Sequence, residues 1–292
     1  MNKRKMSTDL ISNPIPPNQE FPVQPRHSLL RQALRLLEFI IWFSWCCAVV
    51  HTNQLLMALT YFISYDLFNT CKVYTKQQFS IILTTVTQWF TPTMIRVSGD
   101  SSMRGRIKQD KKGRLITNFE ERLVLISNHQ IYTEWLYLWW IAYTSGQHGS
   151  IYIILKESLK YIPVLGPAMM LYGFIFMARN WATDKVRLAY RLRKLKQSHR
   201  GLLSGSKGLD PMWLLMFPEG TNLSANTRKR SVAWANKIGI KDLEHLLLPR
   251  STGLLFCLRN LKDTVEAVYD CSIAYEGIPY VSPLPPTSIS LS

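Results

Sequence analysis

Acidic residues are scarce in this chain, with 19 Asp and Glu against 35 Lys and Arg and a formal charge of +16 over 292 residues. That shortage points to anionic partners, and lipid head groups, coenzyme phosphates and nucleic acid all qualify on charge alone. Nucleic acid is set aside, because the cations fall in no recognition motif and an apolar N-terminal region has no place in such a protein. Cysteines are few. Cys46, Cys47, Cys71, Cys257 and Cys271 contain no CxxC spacing and have no histidines at ligand intervals. Neither a disulfide framework nor a metal site is expected, and the thiols read as free core groups. There is no GxSxG nucleophile elbow, which argues against Ser127 as a nucleophile. Nor is there an internal repeat. The first apolar run begins too far into the chain, and without a small-residue cleavage site, to be a secretory signal.

What the sequence does have is uneven. Residues 1–28 are polar, basic and proline-rich, and are expected to form a flexible tail. From Leu29 the composition flips to two apolar stretches, LLRQALRLLEFIIWFSWCCAVV and LLMALTYFISYDLF, separated by the polar HTNQ at 51–54. The polar link divides the region into pieces too short for the ~20 residues a helical span requires. A membrane-embedded helical hairpin over 29–90 is therefore expected, with one long span as the alternative. Lys3, Arg4, Lys5, Arg26, Arg31 and Arg35 lie before or at the start of the apolar region, which favours a cytosolic N-terminus. A hairpin would return the following chain to the cytosol, whereas a single span would not. The sequon Asn222-Leu223-Ser224 leans the same way, since a glycan would block that loop.

Beyond Pro92 the texture is α/β. Candidate strands are 123–127, 151–155, 173–178, 214–217 and 268–274, with helical patterns between several of them. A mixed sheet flanked by helices is expected over 91–280, followed by a flexible tail over 281–292. A helix over 183–199 carries Leu188, Leu192 and Leu195 against a basic face. The basic segment RGRIKQDKKGR at 104–114 reads as a loop.

His129 and Glu134 stand five positions apart in NHQIYTEW. Within one helix that spacing rotates them by about 140°, so they would not share a face. A break after Ser127, with Thr133 as helix N-cap, lets the Glu134 carboxylate fold back on the imidazole. Base plus orienting acid is an arrangement used in acyl transfer. The plain alternative is a structural hydrogen bond.

Three further segments place polar residues among apolar ones: KESLKYIPVLGPAMMLYGFIFMARNW at 156–181, MFPEGTN at 216–222 and LLLPRSTGL at 246–254. In this order, NHQIYTEW, KxxLKxxPxxG with IFMAR, FPEGT and LLPRSTG resemble the four blocks of the glycerophospholipid acyltransferase family, nearest to its lysocardiolipin and lysophosphatidylinositol acyltransferase branch. The resemblance implies transfer of an acyl group from acyl-CoA, as co-substrate, to a lysophospholipid hydroxyl, with no other cofactor. It implies His129 as general base, Glu134 in the position of the family's aspartate, and Lys156 and Arg179 against substrate phosphate. Glu219, Gly220, Thr221 and Asn222 would shape the acceptor site, and Pro249 would fall on the acyl-donor side. Glu134 is one methylene longer than the family's aspartate, which raises the alternative of a weak or inactive member acting as a lipid-binding scaffold. Asn222, uncharged where many members carry Arg, fits a phosphodiester acceptor better than lysophosphatidic acid. Members also commonly continue past the segment resembling SIAYEG. The family's setting implies the endoplasmic reticulum membrane, with the site near the cytosolic interface. Trp135, Trp139 and Trp140 would suit an interfacial layer, although such a helix also fits an ordinary core.

Overall fold

A computed structural model describes residues 28–93, 95–200 and 207–275. The tails expected at 1–28 and 281–292 lie, apart from Ser28, outside the described residues. The chain divides into two compact units, 1–40 and 41–292. In order the elements are α1 (Leu29–Ala58), α2 (Tyr65–Trp89), β1 (Ile107–Gln109), β2 (Leu115–Thr117), β3 (Arg122–Ser127), α3 (Glu134–Thr144), β4 (Ile151–Lys156), α4 (Leu165–Leu171), β5 (Ile175–Met177), α5 (Trp181–Lys194), β6 (Ser198–Arg200), β7 (Lys207–Leu209), β8 (Met212–Met216), α6 (Ala225–Ile238), α7 (Ser251–Leu261) and β9 (Ala267–Cys271).

The expected polar break at 51–54 is not a break. α1 runs straight through it, because His51 Nδ1 and Gln54 Oε1 lie 3.1 Å apart and Gln54 Nε2 donates to the Ala168 carbonyl at 3.2 Å. Polar groups that satisfy one another and a packed neighbour do not interrupt a helix. The turn comes later, in a short 3-10 helix, Leu59–Phe62, and Ser64 then caps α2 by accepting from the Leu67 N–H. The rings of Trp42 and Trp89 lie 5.7 Å apart, bringing the middle of α1 to the far end of α2. α2 itself is anchored to the α/β domain: Lys76 Nζ donates to the Ile151 carbonyl at 2.8 Å, and Phe79 lies 5.5 Å from Trp139.

The five central strands run in the order β5-β4-β8-β3-β9, and each neighbouring pair is parallel. This replaces the mixed sheet with a parallel one; antiparallel pairing among the described residues is confined to the two-stranded ribbons β1-β2 and β6-β7. Sequence runs such as LVLI, IYIIL and MWLLM are apolar without interruption because both faces of the sheet are covered. Leu123, Leu125, Ile151, Ile153, Trp213 and Leu215 face α2 and α3, where Leu83, Leu138, Trp139 and Ala142 meet them. Val124, Tyr152, Leu214 and Met216 face the other way, onto Leu188 and Leu192 of α5 and Cys257 and Leu261 of α7.

Of the two readings left open for α3, Trp139 fits the core: it is 1% exposed and its Nε1 donates to the His148 carbonyl at 2.9 Å, while Trp135 and Trp140 are half-buried. The expected helix over 183–199 starts earlier and ends at Lys194, with 198–200 extended in β6. The basic segment 104–114 contains β1 and the turn that leads into β2.

Candidate active site

Parallel strands deliver all their C-terminal ends to one edge of the sheet, which is where open α/β folds bind ligands. The four sequence blocks meet that edge. His129 lies two residues beyond β3, Lys156 ends β4, Arg179 lies two beyond β5, and 219–222 follow β8. β3 and β8 are direct neighbours, so the first and third blocks emerge side by side.

Glu134 is the first residue of α3 and is fully buried. Its Oε2 lies 3.1 Å from His129 Nδ1, and its Oε1 accepts the Ile131 N–H at 2.5 Å. The carboxylate thereby folds the 129–133 loop around itself, and Thr133, at the N-cap, makes no side-chain cap bond. In the tautomer that places a proton on Nδ1 towards this carboxylate, Nε2 keeps a lone pair. The imidazole is stacked on Phe217, 4.3 Å between centroids and 23° between planes. The extra methylene of glutamate does not prevent contact with the ring.

The loops are stitched together through Glu219. One of its oxygens accepts the His129 N–H at 3.0 Å and the other accepts the Leu247 N–H at 3.3 Å. In addition, the His129 carbonyl accepts from the Leu223 N–H, and the Pro218 carbonyl from the Arg250 N–H, both at 2.8 Å. Burial raises the Glu219 pKa above the ordinary carboxylate value, with the two N–H bonds acting in the opposite direction and nearby Glu134 adding to the rise. Gly220 closes the turn by donating to the Phe217 carbonyl at 2.9 Å with φ +72°, a left-handed conformation natural to glycine. Thr221 and Asn222 are half-buried on the way to α6, whose N-cap is Ser224. Pro249 is exposed just before α7, beside the Arg250 bond to Pro218.

The second block stands apart from this knot. β4 is two strands from β3 and β5 is three, so at about 4.8 Å per strand their ends lie roughly 10 and 14 Å to one side. Lys156 and Arg179 are both exposed. The glycine of this block, Gly166, has a structural reason: an added Cβ would collide with the Lys160 carbonyl.

Sequence reasoning missed three contributors. Arg228, buried on α6, donates to the carbonyls of Leu243, Glu244 and Leu246, and so holds the segment that presents the Leu247 N–H. Asp184, 1% exposed, accepts from the backbone on both sides of Arg179. The Tyr275 hydroxyl is buried near Glu134, and burial pushes its pKa up. For Asp184 the signal was present: it precedes Leu188 and Leu192 by four and eight positions, placing a carboxylate on the apolar stripe of α5.

A sequence profile of the Acyltransferase family matches residues 95–276. Among curated proteins, the chain is 36% identical over 240 residues to an uncharacterised acyltransferase of Schizosaccharomyces pombe, covering 82% of this chain and 66% of that one. It is 40% identical over 230 residues to the 2-acyl-1-lysophosphatidylinositol acyltransferase of Saccharomyces cerevisiae, covering 70% and 58%. It is also 37% identical over 162 residues to lysocardiolipin acyltransferase 1 of Gallus gallus, covering 54% and 40%. The chain thus spans about two thirds of the first relative's length and less of the others. No solved structure matches it. With the profile covering most of the α/β unit and all four blocks at one sheet edge, the chain belongs to the Acyltransferase family.

Proposed function

We propose that this chain is an acyl-CoA-dependent lysophospholipid O-acyltransferase. The observation that carries the reading is the His129 Nδ1 to Glu134 Oε2 contact of 3.1 Å, made by a buried carboxylate at the ligand-binding edge of the sheet. In the reaction, Nε2 of His129 takes the proton of a glycerol hydroxyl as its oxygen attacks the thioester carbonyl. The new C–O bond forms, the C–S bond breaks, and the CoA thiolate takes the proton back from the imidazolium. No acyl-enzyme intervenes, and acyl-CoA is a co-substrate rather than a cofactor.

The acceptor is of the lysophosphatidylinositol or lysocardiolipin type. Relatives bearing those names and the uncharged Asn222 support this choice over lysophosphatidic acid. Lys156 and Arg179 meet the substrate phosphate, Gly220 to Asn222 shape the acceptor pocket, and Pro249 lies on the acyl-donor side. The chain works at a membrane, in the endoplasmic reticulum, with its site near the cytosolic interface. Support for the membrane comes from Leu29–Phe62, a helical stretch long and apolar enough to cross one. Ile41, Trp45, Leu56 and Phe62 are exposed there, as a lipid-facing surface requires. The journey of both lipids out of the bilayer is then short, which matters because each methylene moved into water costs ~0.8 kcal/mol.

An acyl-transfer assay on microsomes carrying the chain, with a panel of lysolipids, tests the reading. Wild type is expected to acylate lysophosphatidylinositol or lysocardiolipin well above lysophosphatidic acid. His129→Ala is expected to lose roughly 10³-fold or more, the contribution of a positioned base. Glu134→Asp draws the carboxylate back by about a bond length and is expected to lose roughly ten-fold. Equal transfer by wild type and His129→Ala would remove His129 from the chemistry. An inert wild type restored by Glu134→Asp would favour the scaffold reading.

A further inference from the structure

We infer that Asp184 is a positioning residue for substrate phosphate, acting through Arg179. This rests on the proposed role of Arg179 and extends it. Arg179 has φ +67°, a left-handed conformation that an L-residue with a long side chain rarely adopts unprompted. The cause lies five residues on. One oxygen of Asp184 accepts the Ala178 N–H at 2.9 Å and the other accepts the Asn180 N–H at 3.0 Å. A single carboxylate thus bridges the N–H groups of the residues on either side of Arg179 and folds the backbone tightly around it.

Capping alone does not explain the arrangement. Asn180 already caps α5 through its side chain, which accepts the Ala182 N–H at 3.1 Å. The bond back to Asn180 belongs to that helix start, but the bond to Ala178 reaches past Arg179 into the loop before the helix. Asp184 is 1% exposed and sits on the same face of α5 as the buried Leu188 and Leu192. The packed face therefore fixes the carboxylate, the carboxylate fixes the turn, and the turn sets the direction in which the exposed Arg179 side chain leaves the end of β5. Charge-assisted bonds to two backbone donors make this a stiff mount.

The test is a double-mutant cycle in full-length chain in microsomes, with initial rates measured against lysophosphatidylinositol at saturating acyl-CoA. Arg179→Ala is expected to raise the acceptor KM roughly ten-fold with kcat within about two-fold, as for loss of one charge-assisted contact. Asp184→Asn, isosteric but presenting an NH₂ to one of the two donors, is expected to shift the KM in the same way. In the Arg179→Ala background, Asp184→Asn should then change the KM by less than about two-fold. Equal effects of Asp184→Asn with and without Arg179, or a loss confined to kcat, would overturn the inference. No effect of Arg179→Ala would instead sink the phosphate role itself, so the two failures are distinguishable. A stability readout guards against variants that do not fold. Arg179→Gly should melt above Arg179→Ala while Asp184 is present, and that gap should close with Asp184→Asn; an unchanged gap would show that Asp184 does not set the turn.

Discussion

His129 and Arg179 leave the same sheet edge, each two residues beyond the end of a parallel strand, yet they are held in opposite ways. Around His129 both the backbone and the side chain are engaged: its N–H meets Glu219, its carbonyl meets Leu223, its Nδ1 meets Glu134, and its ring stacks on Phe217. At Arg179 only the N–H groups of the neighbouring residues are held, by Asp184, while its own side chain stands exposed. A base must meet one proton at one distance, and errors near 1 Å are expensive in rate. A cation that receives a phosphate can tolerate a flexible side chain, provided its root is fixed. In the proposed reaction the difference separates chemistry from recognition.

Substitutions that cut the His129 knot should therefore act on stability and kcat together, whereas truncating an exposed cation on the far side to alanine should act on KM. The largest effect on stability is expected at Glu219. Glu219→Ala strands the His129 and Leu247 N–H groups, an expected loss of about 2 to 4 kcal/mol for one half-buried and one buried donor. Measured by thermal unfolding and by transfer assay, it should lower melting temperature and kcat in the same variant. A purely kinetic effect would mean the knot is looser than its bonds imply. Next comes Lys156→Ala, which should raise the acceptor KM by a few-fold to roughly ten-fold and leave the melting temperature unchanged. A fall in melting temperature would show that the second block is structural after all.

The smallest expected effect is on pH dependence. The Glu219 pKa is raised by burial, so this group stabilises the fold most when protonated. Its contribution is fully present below the unfolded carboxylate pKa and is lost as pH rises through the folded value. Unfolding measured across the acid range should show that slope in wild type and not in Glu219→Gln. The same slope in both would assign the titration elsewhere.

Much of the fold could be read from residue patterns. Each of the five expected strands overlaps a strand of the central sheet, because continuous apolar runs bounded by polar punctuation are what a doubly covered parallel sheet demands. At 51–54 composition suggests a turn where α1 continues. His51 and Gln54 are polar by composition, but Gln54 is 5% exposed and is satisfied by the Ala168 carbonyl. A partner 114 positions away in sequence leaves no local trace. Trp139 is a similar case: composition leaves an aromatic helix open to core or membrane, and the contacts with Phe79 and Phe174 decide for core.

At the site, His129 and Glu134 were legible as a pair because only a loop between them lets a five-residue spacing close, and the strand end and helix start mark that loop. Glu219 was visible as part of FPEGT, but not its bonds to the backbone of two other blocks. By itself the sequence determined the five central strands and the order of the polar blocks, since these follow from local spacing and apolar pattern. Tertiary structure alone decided that the sheet is parallel, that its edge gathers the blocks, and that Glu219 and Arg228 are buried anchors. The physical reason is that a charge is drawn out of water only where distant backbone groups converge to replace that water, and such convergence is written in no single stretch of the chain.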